Sequence, residues 1–357
     1  MKTLKYITLL VLGALVASCT QDDIILEDHF IDYEIPEIPV EEDYTVGAHY
    51  SRFEFTNSIT KVPTVGIYDA TLGEPSVYEQ HVSQAQTAGI NYFVFDLRSN
   101  YDPIAFSEDS SFMANIFQAS NAGEINFAIS YNFGPMELSD NNRIEDAGLV
   151  AAFLEDFNRM LPFFQQSNYM QVDGQSVLYM ANSHNLFSND NAALYQQLRD
   201  QMSGQGIDLF IIGEQNEWTP PLRYDFRFQN GVDAVTHRTY ANINVGYHDR
   251  YLFWHNVIDQ AWTYHNEKFS DIGIEYVPTI SPSFDPTINN PGSNNIVIEK
   301  DQEWFELTCN VARKTTGEHN LILVDSFNDW NRDTQLESAE SYSDTFLNIL
   351  REEFKTN

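Results

Sequence analysis

The chain has 357 residues and a formal net charge of −33, with 19 Lys and Arg set against 52 Asp and Glu. That balance argues against nucleic acid and against direct adsorption to anionic lipid, and favours a neutral or cationic partner. The two cysteines, Cys19 and Cys309, offer no thiol-based metal site.

Residues 1–18 read as a secretory signal peptide. Lys2 and Lys5 form a positive start, an apolar run follows over 6–16, and Val16-Ala17-Ser18 closes it with small residues before Cys19. A cysteine in that place resembles a bacterial lipobox, which implies that Cys19 is lipidated and begins the mature chain. Gln21-Asp22-Asp23 resembles an acidic export tag, so the expected address is the outer membrane, lipid-anchored and facing the exterior. Residues 19–44 are expected to be a tether. From Gln21 to Tyr44 there are ten Asp and Glu, no Lys or Arg, and the prolines of Ile35-Pro36-Glu37-Ile38-Pro39. Cys309 sits among Phe305, Leu307 and Val311 and reads as a buried, inert thiol.

The body, 45–357, alternates strands and helices. Strands are predicted at 65–69, 90–97, 125–131, 175–181, 208–213, 233–236, 276–280 and 321–325. Helices are predicted at 77–88, 110–119, 147–164, 191–202, 250–268, 302–314 and 341–354. Such alternation over roughly 310 residues predicts an α/β fold, a single (β/α)8 barrel, with no second domain. The chain is expected to be a monomer.

Barrels of this kind place their chemistry at the carboxyl ends of the strands. The predicted strand ends carry Tyr68 and Asp69, Asp96 and Arg98, Tyr131 and Asn132, Tyr179 and Asn182, Glu214 and Glu217, His237 and Arg238, Asp285, and Asn328 with Asp329. The densest group follows the last strand: Asp325, Asn328, Asp329, Trp330, Arg332, Asp333, Gln335 and Glu337. Carboxylates beside an indole suit a sugar: the acids handle protons, and the indole covers the apolar face of a pyranose. An acidic surface loop with one aromatic is the alternative for that stretch alone. His237 reads equally as a hydroxyl ligand or as a histidine satisfied within the barrel rim.

Five stretches together resemble the superfamily of glycoside hydrolase families 99 and 71, which holds endo-acting α-mannosidases, α-glucanases and polysaccharide-cluster proteins described as glycosyltransferases. They are Gly66-Ile67-Tyr68-Asp69, HVSQAQTAGINYFVFD from His81, VDGQSVLY from Val172, PTISPSFD from Pro278 and NDWNRDTQLE from Asn328. Their order spans most of the body. In family 99 the last motif typically reads Asn-Glu-Trp-His-Glu-Gly-Thr-Gln-Ile-Glu. Its first Glu acts as base on the substrate 2-hydroxyl, and its second protonates the leaving oxygen. The resemblance puts Asp329 in the first place, Trp330 on the tryptophan and Arg332 in the second.

An arginine stays protonated and cannot serve as a general acid near neutral pH. The family's tryptophan after the second strand is also missing, because that strand ends Phe95-Asp96-Leu97-Arg98. Two readings follow. In the first, a hydrolase acting on an α-linked polysaccharide such as α-mannan uses Asp329 with Glu217, Glu214 or Asp333. In the second, a glycan-binding protein has kept the cleft and lost the acid, or reads an anionic sugar through Arg332. A partner-binding lipoprotein without a sugar role leaves the strand-end residues unexplained. No cofactor is expected. No metal is expected either, since His-x-x-x-His and calcium-loop spacings are absent.

Overall fold

The computed structural model describes residues 33–55, 59–215, 225–237, 253–294 and 296–356. One compact unit runs over Ile35–Asn357. Its first strand is β1 (Thr45–His49), paired in parallel with both β2 (Tyr92–Arg98) and β10 (Leu321–Val324). Between β1 and β2 lies α1 (Pro75–Thr87). Then come α2 (Pro103–Ile116), β3 (Asn126–Asn132), α3 (Val150–Phe164), the short antiparallel β4 (Gln171–Val172) and β5 (Gln175–Ala181). They are followed by α4 (Asn191–Ser203), β6 (Leu209–Gln215), the single turn α5 (Asp225–Phe228) and β7 (Ala234–His237). The circuit finishes with α6 (Trp254–Ser270), β8 (Glu275–Tyr276), β9 (Thr279–Ile280), α7 (Gln302–Thr315), β10 and α8 (Thr345–Phe354).

Local chemistry explains several boundaries. Pro75 and Pro103 open α1 and α2, where a missing N–H is no loss. Asp102, Asp190 and Asp301 cap α2, α4 and α7, each accepting a backbone N–H at 2.9–3.1 Å. Gly89, at φ 72°, ends the turn after α1.

The sheet order is β8-β7-β6-β5-β3-β2-β1-β10-β9. β8 and β9 are one stave interrupted at Val277-Pro278: Val277 N donates to Val235 O on one side, and Leu323 N donates to Pro278 O on the other. Pro278 has no N–H to offer, so the stave switches neighbours at the residue least able to pair. Counting β8 and β9 together closes a (β/α)8 barrel, as predicted. Alternate residues face in or out. Tyr92, Val94, Val177, Tyr179, Phe210, Ile212, Leu321 and Leu323 form the inner cluster. Phe93, Phe95, Ile129, Leu178, Ile211 and Ile322 pack outward against the helices. Tyr92 and Tyr179 meet across the interior, hydroxyl to hydroxyl at 2.7 Å. Gly47 makes room for this, since a Cβ there would come within 2.3 Å of the Tyr92 ring.

Two expectations are corrected. The first strand is not 65–69: that stretch is a loop, turned at Gly66 (φ 84°), whose N–H donates to Pro63 O. The true first strand, TVGAH, carries a glycine and a histidine that interrupt its apolar run. The last part of the expected tether also belongs to the barrel's surroundings. Asn310 and Arg313 of α7 bond the backbone of Pro36 and Ile38 at 2.8–3.0 Å, and Ile35 and Val40 pack on the core. No helix of the described residues is long and apolar enough to cross a membrane.

Candidate active site

The pleat decides which strand-end side chains face the barrel mouth. Asp96 shares its face with Tyr92 and Val94, Asn132 with Ala128, Glu214 with Phe210 and Ile212, and Asp325 with Leu321 and Leu323. His49 shares the face of Gly47, its ring 6.3 Å from that of Tyr179. Position and face together therefore select His49, Asp96, Asn132, Glu214 and Asp325. His49 escaped sequence reading because its strand did, whereas Asp325 was already read as part of the polar cluster after the last strand.

A cleft of about 330 Å³ takes in Asp96 and Asn132 of these five and is lined also by Tyr50, Arg52, Phe53, Arg98, Asp109, Asp329 and Arg332, among others. At its base, Arg332 Nε donates to Asp329 Oδ2 at 2.6 Å and Nη2 donates to Asp325 Oδ1 at 3.0 Å. Burial works against the guanidinium charge, but Asp325 and Asp329, with Asp96 further off, outweigh it and hold its pKa above the ordinary value. Asp329 also accepts Asn331 N at 3.1 Å, and its own N–H donates to Ser326 Oγ at 2.7 Å. The candidate base is thus a carboxylate fixed from two sides, Oδ1 by the Asn331 N–H and Oδ2 by the Arg332 guanidinium.

Behind the cleft lies a buried scaffold. Glu337 is fully buried and accepts three bonds: His81 Nε2 at 3.0 Å, Tyr68 OH at 2.8 Å and Trp330 Nε1 at 2.7 Å. With the carboxylate accepting, His81 donates from Nε2, and its Nδ1 accepts the hydrogen bond of Tyr50 OH at 2.8 Å. Asn328 clamps Ser51 by both its N–H (2.6 Å) and its carbonyl (3.0 Å). Gln335, also buried, donates to Asp333 Oδ1 at 3.1 Å. Asn328, Trp330, Gln335, Glu337 and Tyr68 therefore hold the last loop in shape.

A second cleft, about 300 Å³, lies beside Trp330 and Asp333 and is lined also by Lys61 and Asp285. Lys61 Nζ meets both oxygens of Asp333, at 2.5 and 2.7 Å. Asp285 turns its carboxylate back to Thr287 N and Oγ1 while its N–H holds Arg332 O at 2.8 Å.

Four expected site residues stand elsewhere. Tyr131 lies on the outer face, where its hydroxyl donates to Asp156 Oδ2 at 2.7 Å beneath α3. His237 is also outward, stacked on Tyr276 at 5.8 Å and beside Trp262 of α6 at 5.1 Å. Tyr179 faces inward but below the mouth, buried against Tyr92. Asp69 is exposed in its loop, and its carboxylate bonds only Thr71 among the described residues. Glu217, Arg238 and Cys19 lie outside the described residues. Among the described residues no group of three or more His, Cys, Asp or Glu is placed to hold a metal ion.

The chain is thus a closed parallel barrel with carboxylates and a guanidinium at its mouth. Residues 151–350 match the family model described as Glycosyltransferase WbsX, and the chain belongs to that family. A solved structure titled "Glycoside hydrolase-like protein" is 34% identical, covering 93% of this chain and 99% of that one, with a TM-score of 0.85. The fold is also that of the family 99 endo-alpha-mannosidase from Bacteriodes thetaiotaomicron, at 12% identity over 87% of this chain and 96% of that one, with a TM-score of 0.61. A family 5 enzyme, GH5_18 from Bifidobacterium longum subsp. infantis, aligns at 11% identity over 88% and 80%, with a TM-score of 0.56. No curated protein matches the chain.

Proposed function

We propose that this protein is a glycoside hydrolase that cleaves α-linked polysaccharide within the chain, α-mannan being the first candidate. We further propose that it works at the outer face of an outer membrane, anchored through Cys19 and the acidic segment that follows. One observation carries the hydrolase reading: Asp329, in the place of the family base, lines the cleft at the barrel mouth as a carboxylate oriented by Arg332 and Asn331. The endo-alpha-mannosidase of the same fold supports the choice of polymer. Arg332 cannot deliver a proton, so the donor comes from the end of β6, where Glu214 faces inward and Glu217 follows. Glu214 is nearly buried and accepts Asn182 N at 3.2 Å.

A second reading is favoured by the same Arg332. A base neutralised by a permanent cation is a weaker base, and a barrel that has lost its acid still binds sugar. Purified protein incubated with α-mannans and α-glucans separates the two. Released oligosaccharides that vanish with Asp329→Asn support a hydrolase, and loss with Glu214→Gln or Glu217→Gln identifies the donor. Retarded migration on one glycan with no release makes the protein a binder. Neither release nor retardation sinks both readings.

A further inference from the structure

Three guanidinium groups line the main cleft, those of Arg52, Arg98 and Arg332. Taken alone they suggest a receptor for a uronic or sulfated sugar. Their partners argue otherwise. Arg52 Nη1 meets Glu108 Oε2 at 3.2 Å. Arg98 grips Asp109 with Nε at 2.8 Å and Nη2 at 2.6 Å, and also reaches Glu108 at 3.4 Å. Arg332 is shared between Asp325 and Asp329. Each cation is already matched, and one carboxylate is left over. Asp96 is exposed on the inward face of β2, lines the same cleft as Asp329 and Arg332, and its side chain makes no hydrogen bond among the described residues.

From this arrangement, and resting on the glycan reading above, we infer that the cleft admits sugars without negative charge and rejects carboxylated or sulfated ones, with Asp96 setting the preference. Five carboxylates surround three guanidinium groups, so the local charge is negative. An ionised carboxylate offers lone pairs and no proton. It takes the O–H of a neutral sugar or the N–H of an amino sugar, and it repels a sulfate or a uronate. An anionic ligand also has to compete with the carboxylate already paired to each arginine.

The test is affinity electrophoresis of the purified full chain against mannan and dextran, which are neutral, and against dextran sulfate and polygalacturonate, which are not. Wild type is expected to bind a neutral polymer and to ignore both anionic ones at low salt. Asp96→Asn, an exposed substitution, should weaken neutral binding and strengthen anionic binding by about tenfold, the size of one screened like-charge contact. Asp96→Glu should keep the wild-type order. Wild-type binding to an anionic polymer that fades as salt rises overturns the inference and leaves the glycan reading intact. Unchanged preference in Asp96→Asn overturns it as well. Binding to none of the four polymers overturns the glycan reading itself.

Discussion

At Arg332 two carboxylates converge on one guanidinium, which offsets their mutual repulsion. This makes a simple reversion toward the family motif costly. Arg332→Glu would gather three carboxylates where a cation stood. Three-quarters of the side chain is out of solvent, so the expected loss is about 2–4 kcal/mol with no gain in turnover, read from urea unfolding and the mannan assay. Glu337 is a different kind of residue. It is buried and bonded by a histidine, a phenol and an indole, and Glu337→Ala strands all three donors. A destabilisation of roughly 3–5 kcal/mol is expected from the same unfolding measurement. The acidic character of Asp329 and Glu337 was readable from the sequence, but their division of labour was not. Asp329 and Glu337 stand in one motif, and only the structure separates the carboxylate that lines the cleft from the wholly enclosed one that holds the loop.

At the level of elements, the barrel depends on close approaches inside it. Gly47 of β1 lies against the ring of Tyr92, so Gly47→Val forces a methyl-bearing Cβ into an aromatic ring. Overpacking of this sort is expected to cost about 1–3 kcal/mol or more, seen as a lower melting temperature. The opposite end of the barrel is tied by His319. Its Nδ1 lies 2.6 Å from Glu275 Oε2 at the start of β8, and its Nε2 lies 3.1 Å from Asp173 Oδ2 in the β4–β5 turn. Burial lowers the imidazole pKa, but these two carboxylates more than offset it, and the net shift is upward. A raised folded-state value means the tie contributes fully below the unfolded pKa of about 6.5 and is lost as pH rises through the folded one. The stability difference between wild type and His319→Gln should therefore shrink as pH is raised through and above neutrality. A difference that grows with pH would contradict this sign. Element positions such as 175–181 and 191–203 were legible because their apolar periodicity is strong and a turn or cap bounds them. The first strand was not, since its stability comes from neighbours on both sides rather than from its own composition.

For the whole molecule, the proposed anchor and the proposed activity are separate claims. Cys19→Ala should abolish incorporation of labelled palmitate and release the chain from the membrane fraction while leaving oligosaccharide release by the purified protein unchanged. Retention of label would exclude Cys19 as the acceptor. The surplus of negative charge belongs to this scale as well: it repels anionic surfaces whatever the cleft itself prefers.

By itself the sequence determined the alternation of strands and helices, the family motifs and the presence of an arginine where an acid is expected. All of these are local, carried by runs of a few residues. The tertiary structure decided which strand ends share a face. Tyr131 and His237 turned outward and Asp96 and Glu214 inward because pleat and register are set between strands, and only a closed barrel gives inside and outside a meaning.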